Sequence, residues 1–131
     1  MTTTMTTEAR ALLEAPNLAH LATTLPDGAP HVVPVWVGVD DADRIVFLTG
    51  PDSVKGRNIE RDPRVALSLT AADAPNTMLH VRGVVTDIRD DDAGWAIIDA
   101  LAEKYLGGPY PLRSGRAAYV IAPERVVTQS F

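Results

Sequence analysis

Nearly every residue of the stretch His31-Val-Val-Pro-Val-Trp-Val-Gly-Val39 is apolar, so as a strand it is apolar on both faces. A strand of that kind must be covered on both sides. The chain has 131 residues, enough for one domain, and so short a chain needs an additional cover for such a strand. A second copy of the chain is the simplest cover, which predicts a homodimer. Pro34 inside the stretch cannot donate to a ladder and marks an edge, a bulge or a ligand-facing gap.

The rest of the chain divides at its turns. Residues 1–6 read as a frayed tail. Thr7 is placed to cap a short helix through Glu14, with Ala9, Leu12 and Leu13 on its apolar side. Leu18–Leu25 and Ala29–Val39 read as strands, joined at Pro26-Asp27-Gly28, and Asp-Gly is a strong hairpin signal. Arg44–Thr49 is a third strand, hairpin-paired to the second after the turn at Asp40–Asp43. Arg64–Thr70 is a fourth, followed by a polar loop over Ala71–Asn76. Met78–Ile88 is a fifth, with Gly83 at a bulge. Asp90–Asp92 supply the cap and first turn of a helix. Its Trp95, Ile98, Leu101, Ala102 and Tyr105 recur at helical spacing as a core stripe, and Gly107-Gly108 ends it. A last strand runs over Arg116–Ser130, broken near Pro123. About six mostly antiparallel strands and two or three helices predict a mainly β (α+β) barrel or sandwich in a single domain.

Between the third and fourth strands lies Thr49–Pro63. Gly50-Pro51 turns the chain, Asp52 or Ser53 caps a short helix, and Asp62-Pro63 stops it. Lys55 and Asn58, three apart, share a face. The amide end of the helix carries partial positive charge. Hydroxyl, ammonium, carboxamide and N–H groups on one point make an anion site suited to phosphate. The plainer alternative is a capped surface helix that binds nothing. The overall charge sharpens the choice: the chain carries a net −5 at pH 7, which argues against nucleic acid. A local basic cluster (Lys55, Arg57, Arg61, Arg64) suits a small anion better than a polyanion.

Other chemistries find little support. There is no cysteine, which removes thiolate zinc sites and cysteine nucleophiles. His20, His31 and His80 lie in or beside strands with no ligand spacing, so no metal site is expected. No Gly-x-Ser-x-Gly elbow, Walker or dinucleotide glycine pattern occurs, and no catalytic residue is assigned. No apolar run spans a membrane and no signal peptide is visible, so a cytoplasmic location is expected. An anion site beside an apolar strand suits a flat apolar ligand bearing a phosphate. Flavin-type cofactors have that anatomy and bring their own redox chemistry.

The ordered motifs are Leu-Ala-Thr-Thr-Leu-Pro-Asp-Gly-Ala-Pro-His (21–31), Val-Val-Pro-Val-Trp (32–36), Val-Phe-Leu-Thr (46–49), Ser-x-Lys-x-x-Asn (53–58), Arg-Asp-Pro-Arg-Val-Ala-Leu (61–67), Val-Arg-Gly-Val-Val (81–85) and Leu-Ala-Glu-Lys-Tyr-Leu-Gly (101–107). Their order and spacing resemble the pyridoxamine 5′-phosphate oxidase-like split β-barrel superfamily. The compact size is similar to its branch of deazaflavin (coenzyme F-420)-dependent oxidoreductases. The resemblance implies a six-stranded split β-barrel, FMN-binding-protein-like, dimeric, with cofactor sites at the dimer interface. It implies that Ser53, Lys55, Arg57 and Asn58 hold the cofactor phosphate, and that Val33, Pro34, Val35 and Trp36, with Thr49, line the ring system. In related members arginine often stands at the position of Ser53, so here Lys55 and Arg57 are the main charges. The chain lacks the C-terminal segment that vitamin B6 oxidases use for substrate, so pyridoxamine phosphate oxidation is not expected.

Three functions follow as expectations. The first is an oxidoreductase passing hydride from reduced F-420 to a small organic acceptor, with Arg57, Arg61, Arg113 or Arg116 meeting the glutamyl tail or simply solvated. The second is an FMN-binding reductase or oxidase using the same residues. The third is a non-enzymatic flavin or haem binder, for which His20, His31 or His80 would supply an axial ligand.

Overall fold

The computed structural model describes residues 4–131. Local turn chemistry sets where its elements begin. Helix α1 spans Thr7–Glu14 and is capped by Thr6, whose Oγ1 accepts from the Ala9 N–H at 3.1 Å. The cap is therefore one residue earlier than the predicted Thr7. Of the predicted tail, residues 1–3 lie outside the described residues, while Met5 packs against the core. The first hairpin joins β1 (Ala19–Thr24) to β2 (Pro30–Val35). Gly28 takes φ 89°, and the Asp27 carboxylate accepts from the Ala29 N–H at 3.0 Å. After β3 (Gly38–Val39) and β4 (Ile45–Thr49), α2 (Val54–Arg61) is capped by Ser53 and closed at Asp62.

Strands β5 (Arg64–Ala71) and β6 (Ala74–Arg89) follow. They are joined by Ala72 and Asp73 alone, so the loop predicted over Ala71–Asn76 is a tight hairpin whose second strand includes Pro75. The reason lies outside the segment: Asn17 Oδ1 accepts from the Ala72 N–H at 2.9 Å and pins the turn against the end of α1. Helix α3 runs Asp92–Leu106, capped by Asp91, and ends at Gly107 with φ 81°. Strand β7 (Ala117–Ser130) completes the chain. It is not interrupted at Pro123; the ladder shifts register there, opposite Arg82–Gly83.

The sheet is antiparallel in the order β2-β1-β5-β6-β7-β4-β3. β2 and β3 form its two edges, yet only Trp36 and Val37 separate them in sequence. Three residue steps reach at most about 11 Å, so the edges approach each other and the sheet is curled, barrel-like. This explains why seven strands stand among the described residues where six were predicted. The second predicted strand bends at Trp36–Val37 and divides between two edges, pairing with β1 through Pro30–Val35 and with β4 through Gly38–Val39 only.

Inside the curl lie Leu21, Val37, Ile45, Phe47, Leu79, Val81, Tyr119 and Ile121, with Ala9 and Leu13 of α1. Phe47 and Tyr119 stack at 5.1 Å between centroids. On the outer face, α3 packs Leu101 and Ile97 against Val46, Val120, Leu48 and Trp36. β4 is thus covered on both sides. β2 is not: Val32 is 56% exposed, and Leu18 before β1 is 53% exposed. His20, Ser68 and His80 are register neighbours across β1, β5 and β6. Among the described residues, no cluster of three His, Cys, Asp or Glu is placed to hold a metal ion, and no helix is long and apolar enough to cross a membrane.

Candidate functional site

Two adjoining clefts open where β2, β4 and α2 meet. The first, about 300 Å³, is walled mainly by Leu18, Pro34, Trp36 and Leu48. The second, about 520 Å³, lies at the start of α2 and includes Thr49, Gly50, Ser53 and Arg116. Leu48, Lys55 and Tyr110 line both clefts. One is mainly apolar and one mainly polar, and Lys55 stands at their junction.

The geometry of α2 explains this placement. Ser53 Oγ accepts from the Gly56 N–H at 3.1 Å and donates to the Gly50 carbonyl at 2.7 Å. With its one proton so used, it accepts from Thr49 Oγ1 at 3.0 Å. The Ser53 hydroxyl is saturated and Thr49 is buried. These two side chains build the turn at the head of α2, on the wall of the polar cleft.

Asn58 is 2% exposed. Its Nδ2 donates to Thr23 Oγ1 at 3.0 Å, and its Oδ1 accepts from Arg61 at 3.0 Å. The convergence of Lys55 and Asn58 expected from their spacing is therefore not formed. Asn58 turns inward and latches α2 to β1, while Lys55 faces the clefts. Val35 is likewise buried in the core, so toward the cleft it offers backbone rather than side chain. Val33 is half-buried, Pro34 exposed and Trp36 half-buried.

The cations separate into two sets. Arg61 also donates to the Thr24 carbonyl. Arg64 pairs with Asp62 at 2.8 Å. Arg113 pairs with Asp99 at 2.6 Å and lies over the Trp95 ring. These three are engaged within the fold. Lys55 and Arg116 are not paired with any carboxylate among the described residues; Arg116 meets only the Tyr110 hydroxyl and the Gly115 carbonyl. Burial pushes the Lys55 ammonium below its ordinary range, and neighbouring Arg116 pushes it further. Exposed Asp52 is the acid on that wall, outside ion-pair distance of either cation. Arg57 is exposed.

Leu48 and Tyr110 line the site, and Tyr105 backs it through Trp36, although their spacing did not point to it. The Trp36 indole is stacked on Tyr105 at 5.4 Å with 5° between planes, and Tyr110 meets its edge at 5.9 Å. Tyr105 read as core because it continues the α3 stripe. The one sequence signal for Tyr110 is its position in the loop that carries Arg113 and Arg116.

The family model for pyridoxamine 5′-phosphate oxidase matches residues 5–130. The chain belongs to the pyridoxamine 5′-phosphate oxidase family. Within it, the chain is 30% identical to a pyridoxine/pyridoxamine 5′-phosphate oxidase of Rhodopseudomonas palustris, over 85% of this chain and 66% of that protein. It thus spans just under two thirds of that relative's length. Among solved structures, it superposes on an F420 reductase with TM-score 0.79 and 36% identity, covering 90% of this chain and 94% of that one. It superposes on a conserved hypothetical protein of Mycobacterium tuberculosis with TM-score 0.81 and 26% identity, covering 98% and 86%. The superfamily read from the ordered motifs is thereby shown, and it is one of oxidoreductase-type enzymes.

Proposed function

We propose that this family member is an oxidoreductase that uses reduced deazaflavin coenzyme F-420 to transfer hydride to a small organic acceptor. One observation carries the reading: two cations have no acid partner among the described residues, Lys55 at the junction of an apolar cleft and a polar cleft, and Arg116 on the wall of the polar cleft at the start of α2. A half-buried ammonium held beside a guanidinium is unfavourable unless an anion joins them. A planar ring bearing a phosphate matches both clefts at once. The 36% identity to an F420 reductase across 90% of the chain supports F-420 as that ligand.

When bound, the cofactor supplies the hydride. The chain's residues bind and orient it. Lys55, Arg57 and the first-turn amides of α2 meet the phosphate, with Ser53 and Thr49 shaping the turn and Asn58 anchoring the helix. Val33, Pro34 and Trp36, with the backbone of Val35, wall the ring. Arg116 extends the positive edge toward an acidic tail. Leu48 and Tyr110 border the space left for an acceptor. No side chain is assigned a catalytic role.

Counting β2 and β3 as one bent strand gives a six-stranded split barrel. The exposed apolar residues of its uncovered edge, Leu18, Val32 and Pro34, fit a homodimer with the cofactor between protomers. Sedimentation at micromolar concentration tests this, and a monomer would exclude it. FMN is the second reading, favoured by the match to pyridoxine/pyridoxamine 5′-phosphate oxidases; the same cations would hold its shorter phosphate. A side-by-side fluorescence titration with F-420 and FMN separates the two. Tight F-420 binding with weak FMN binding is expected, and the reverse would move the protein to the flavin branch.

A further inference from the structure

The crossing Trp36–Val37 presents a physical problem that the sheet does not solve. β2 ends at Val35 and β3 begins at Gly38, so the backbone of Val37 has no ladder partner, yet Val37 is fully buried. Buried N–H and C=O groups must be bonded. The last turn of α3, far away in sequence, bonds both. The Val37 N–H donates to the Tyr105 hydroxyl at 3.2 Å. Lys104 Nζ donates to the Val37 carbonyl at 2.5 Å.

The same two side chains tie down the end of α1. Lys104 Nζ donates to the Leu13 carbonyl at 2.7 Å, and the Tyr105 hydroxyl donates to the Asn17 carbonyl at 2.5 Å. The Tyr105 ring carries the Trp36 indole, nearly parallel at 5.4 Å, and the Lys104 ammonium lies 4.9 Å from the Tyr105 ring centroid. Two adjacent residues thus hold the backbone of the crossing and the plane of the ring that walls the apolar cleft.

We propose that Lys104 and Tyr105 are positioning residues for the ligand slot: they fix the Trp36–Val37 crossing and set the Trp36 ring against which a bound ring lies. Neither lines the apolar cleft that Trp36 walls or the polar cleft beside it, so both act through Trp36. Burial pushes the Lys104 ammonium down to about 8, against the pull of Glu14, as befits a charge committed to two carbonyls rather than to water. The effect on binding rests on the function proposed above; the effect on the crossing does not.

The test uses the full chain and two readouts. The first is hydrogen exchange at the Val37 amide, with the Trp36 indole N–H signal in the proton–nitrogen spectrum assigned by its loss in Trp36→Phe. The second is the F-420 and FMN titration. Tyr105→Phe keeps the stacked ring and removes only the hydroxyl. It is expected to shift the Trp36 signal, speed Val37 exchange at least about tenfold, and weaken ligand binding about tenfold, the scale of one or two lost hydrogen bonds. Lys104→Met should do the same, while Lys104→Arg, which still reaches both carbonyls, should largely restore wild-type behaviour. Unchanged Trp36 and Val37 signals in Tyr105→Phe would overturn the proposal. So would perturbed signals with undiminished affinity, in a wild type that binds. If the wild type binds neither cofactor, the functional reading fails, and Val37 exchange alone still decides whether the strut exists.

Discussion

Replacing Lys55 by methionine should move stability and binding in opposite directions. The unbranched stem keeps most of its packing, so the change removes little more than the charge. In the free protein that charge is unfavourable: burial first, then Arg116, lowers its proton affinity, and no carboxylate pairs with it among the described residues. The sign follows from linkage. A lysine whose folded pKa is depressed binds its proton more weakly in the folded than in the unfolded chain, so it costs stability below the folded pKa. That cost fades as pH rises toward 10.5, the ordinary value. Lys55→Met should therefore melt at or above the wild-type temperature near neutral pH, and its stability should change less between neutral pH and pH 10. Binding should fall, because a charge-assisted hydrogen bond to phosphate contributes about 1.5–3 kcal/mol, or roughly ten- to 150-fold in Kd. The assay is a thermal melt of the free protein beside fluorescence titrations with F-420 and FMN at low and moderate salt. Unchanged affinity for whichever cofactor binds would show that the phosphate lies elsewhere. A clear loss of stability in the free variant would show that Lys55 has an internal partner and is not waiting for a ligand.

Asn58→Ala should act on the fold rather than on the ligand. It strands buried Thr23 Oγ1 and one Arg61 contact, and a loss of about 1–3 kcal/mol in urea unfolding is expected; a drop in affinity at unchanged stability would return Asn58 to the phosphate. Gly83→Ala places a Cβ 2.6 Å from the Ala122 carbonyl oxygen and 2.7 Å from the Ile121 side chain. Backbone and packed core leave it no room, so about 1–3 kcal/mol should be lost, and a neutral result would mean that the register shift is pliable. Asp62 is held down to about 2 by its hydrogen bonds from Arg64. The stability it contributes should be complete above 3.8, its ordinary value, and lost as pH falls through about 2; an NMR carboxyl titration of Asp62 with its midpoint near the ordinary value would refute this.

Much of the molecule is legible in the sequence alone, because turns and caps are local chemistry. Asp27-Gly28 makes the first hairpin, Asp91 caps α3 and Gly107 ends it, since each requires only a few neighbouring atoms. Ser53 at the head of α2 was legible for the same reason, although its hydroxyl serves the turn. Lys55 lines the clefts at the head of the same helix, although without Asn58 beside it. Other side chains have partners that their spacing does not show, because a sequence shows what a group can bond, not what lies opposite it. Asn58 could meet a phosphate or Thr23, and only the packing of α2 on β1 selects Thr23. Arg61 and Arg113 looked as free as Arg116 until the fold brought Thr24 and Asp99 to them.

What the chain by itself determined is a set of short strands, capped helices and a basic turn suited to an anion. What the tertiary structure decided is how the apolar stretch His31–Val39 is used. Within a single curled sheet it cannot remain one straight strand, because its two halves form opposite edges, one paired with β1 and the other with β4. The bend therefore falls at Trp36–Val37, whose buried backbone draws its partners from Lys104 and Tyr105, almost seventy residues away. A requirement met across that separation leaves no local trace, since hydrogen-bond satisfaction is a property of the closed fold and not of any segment within it.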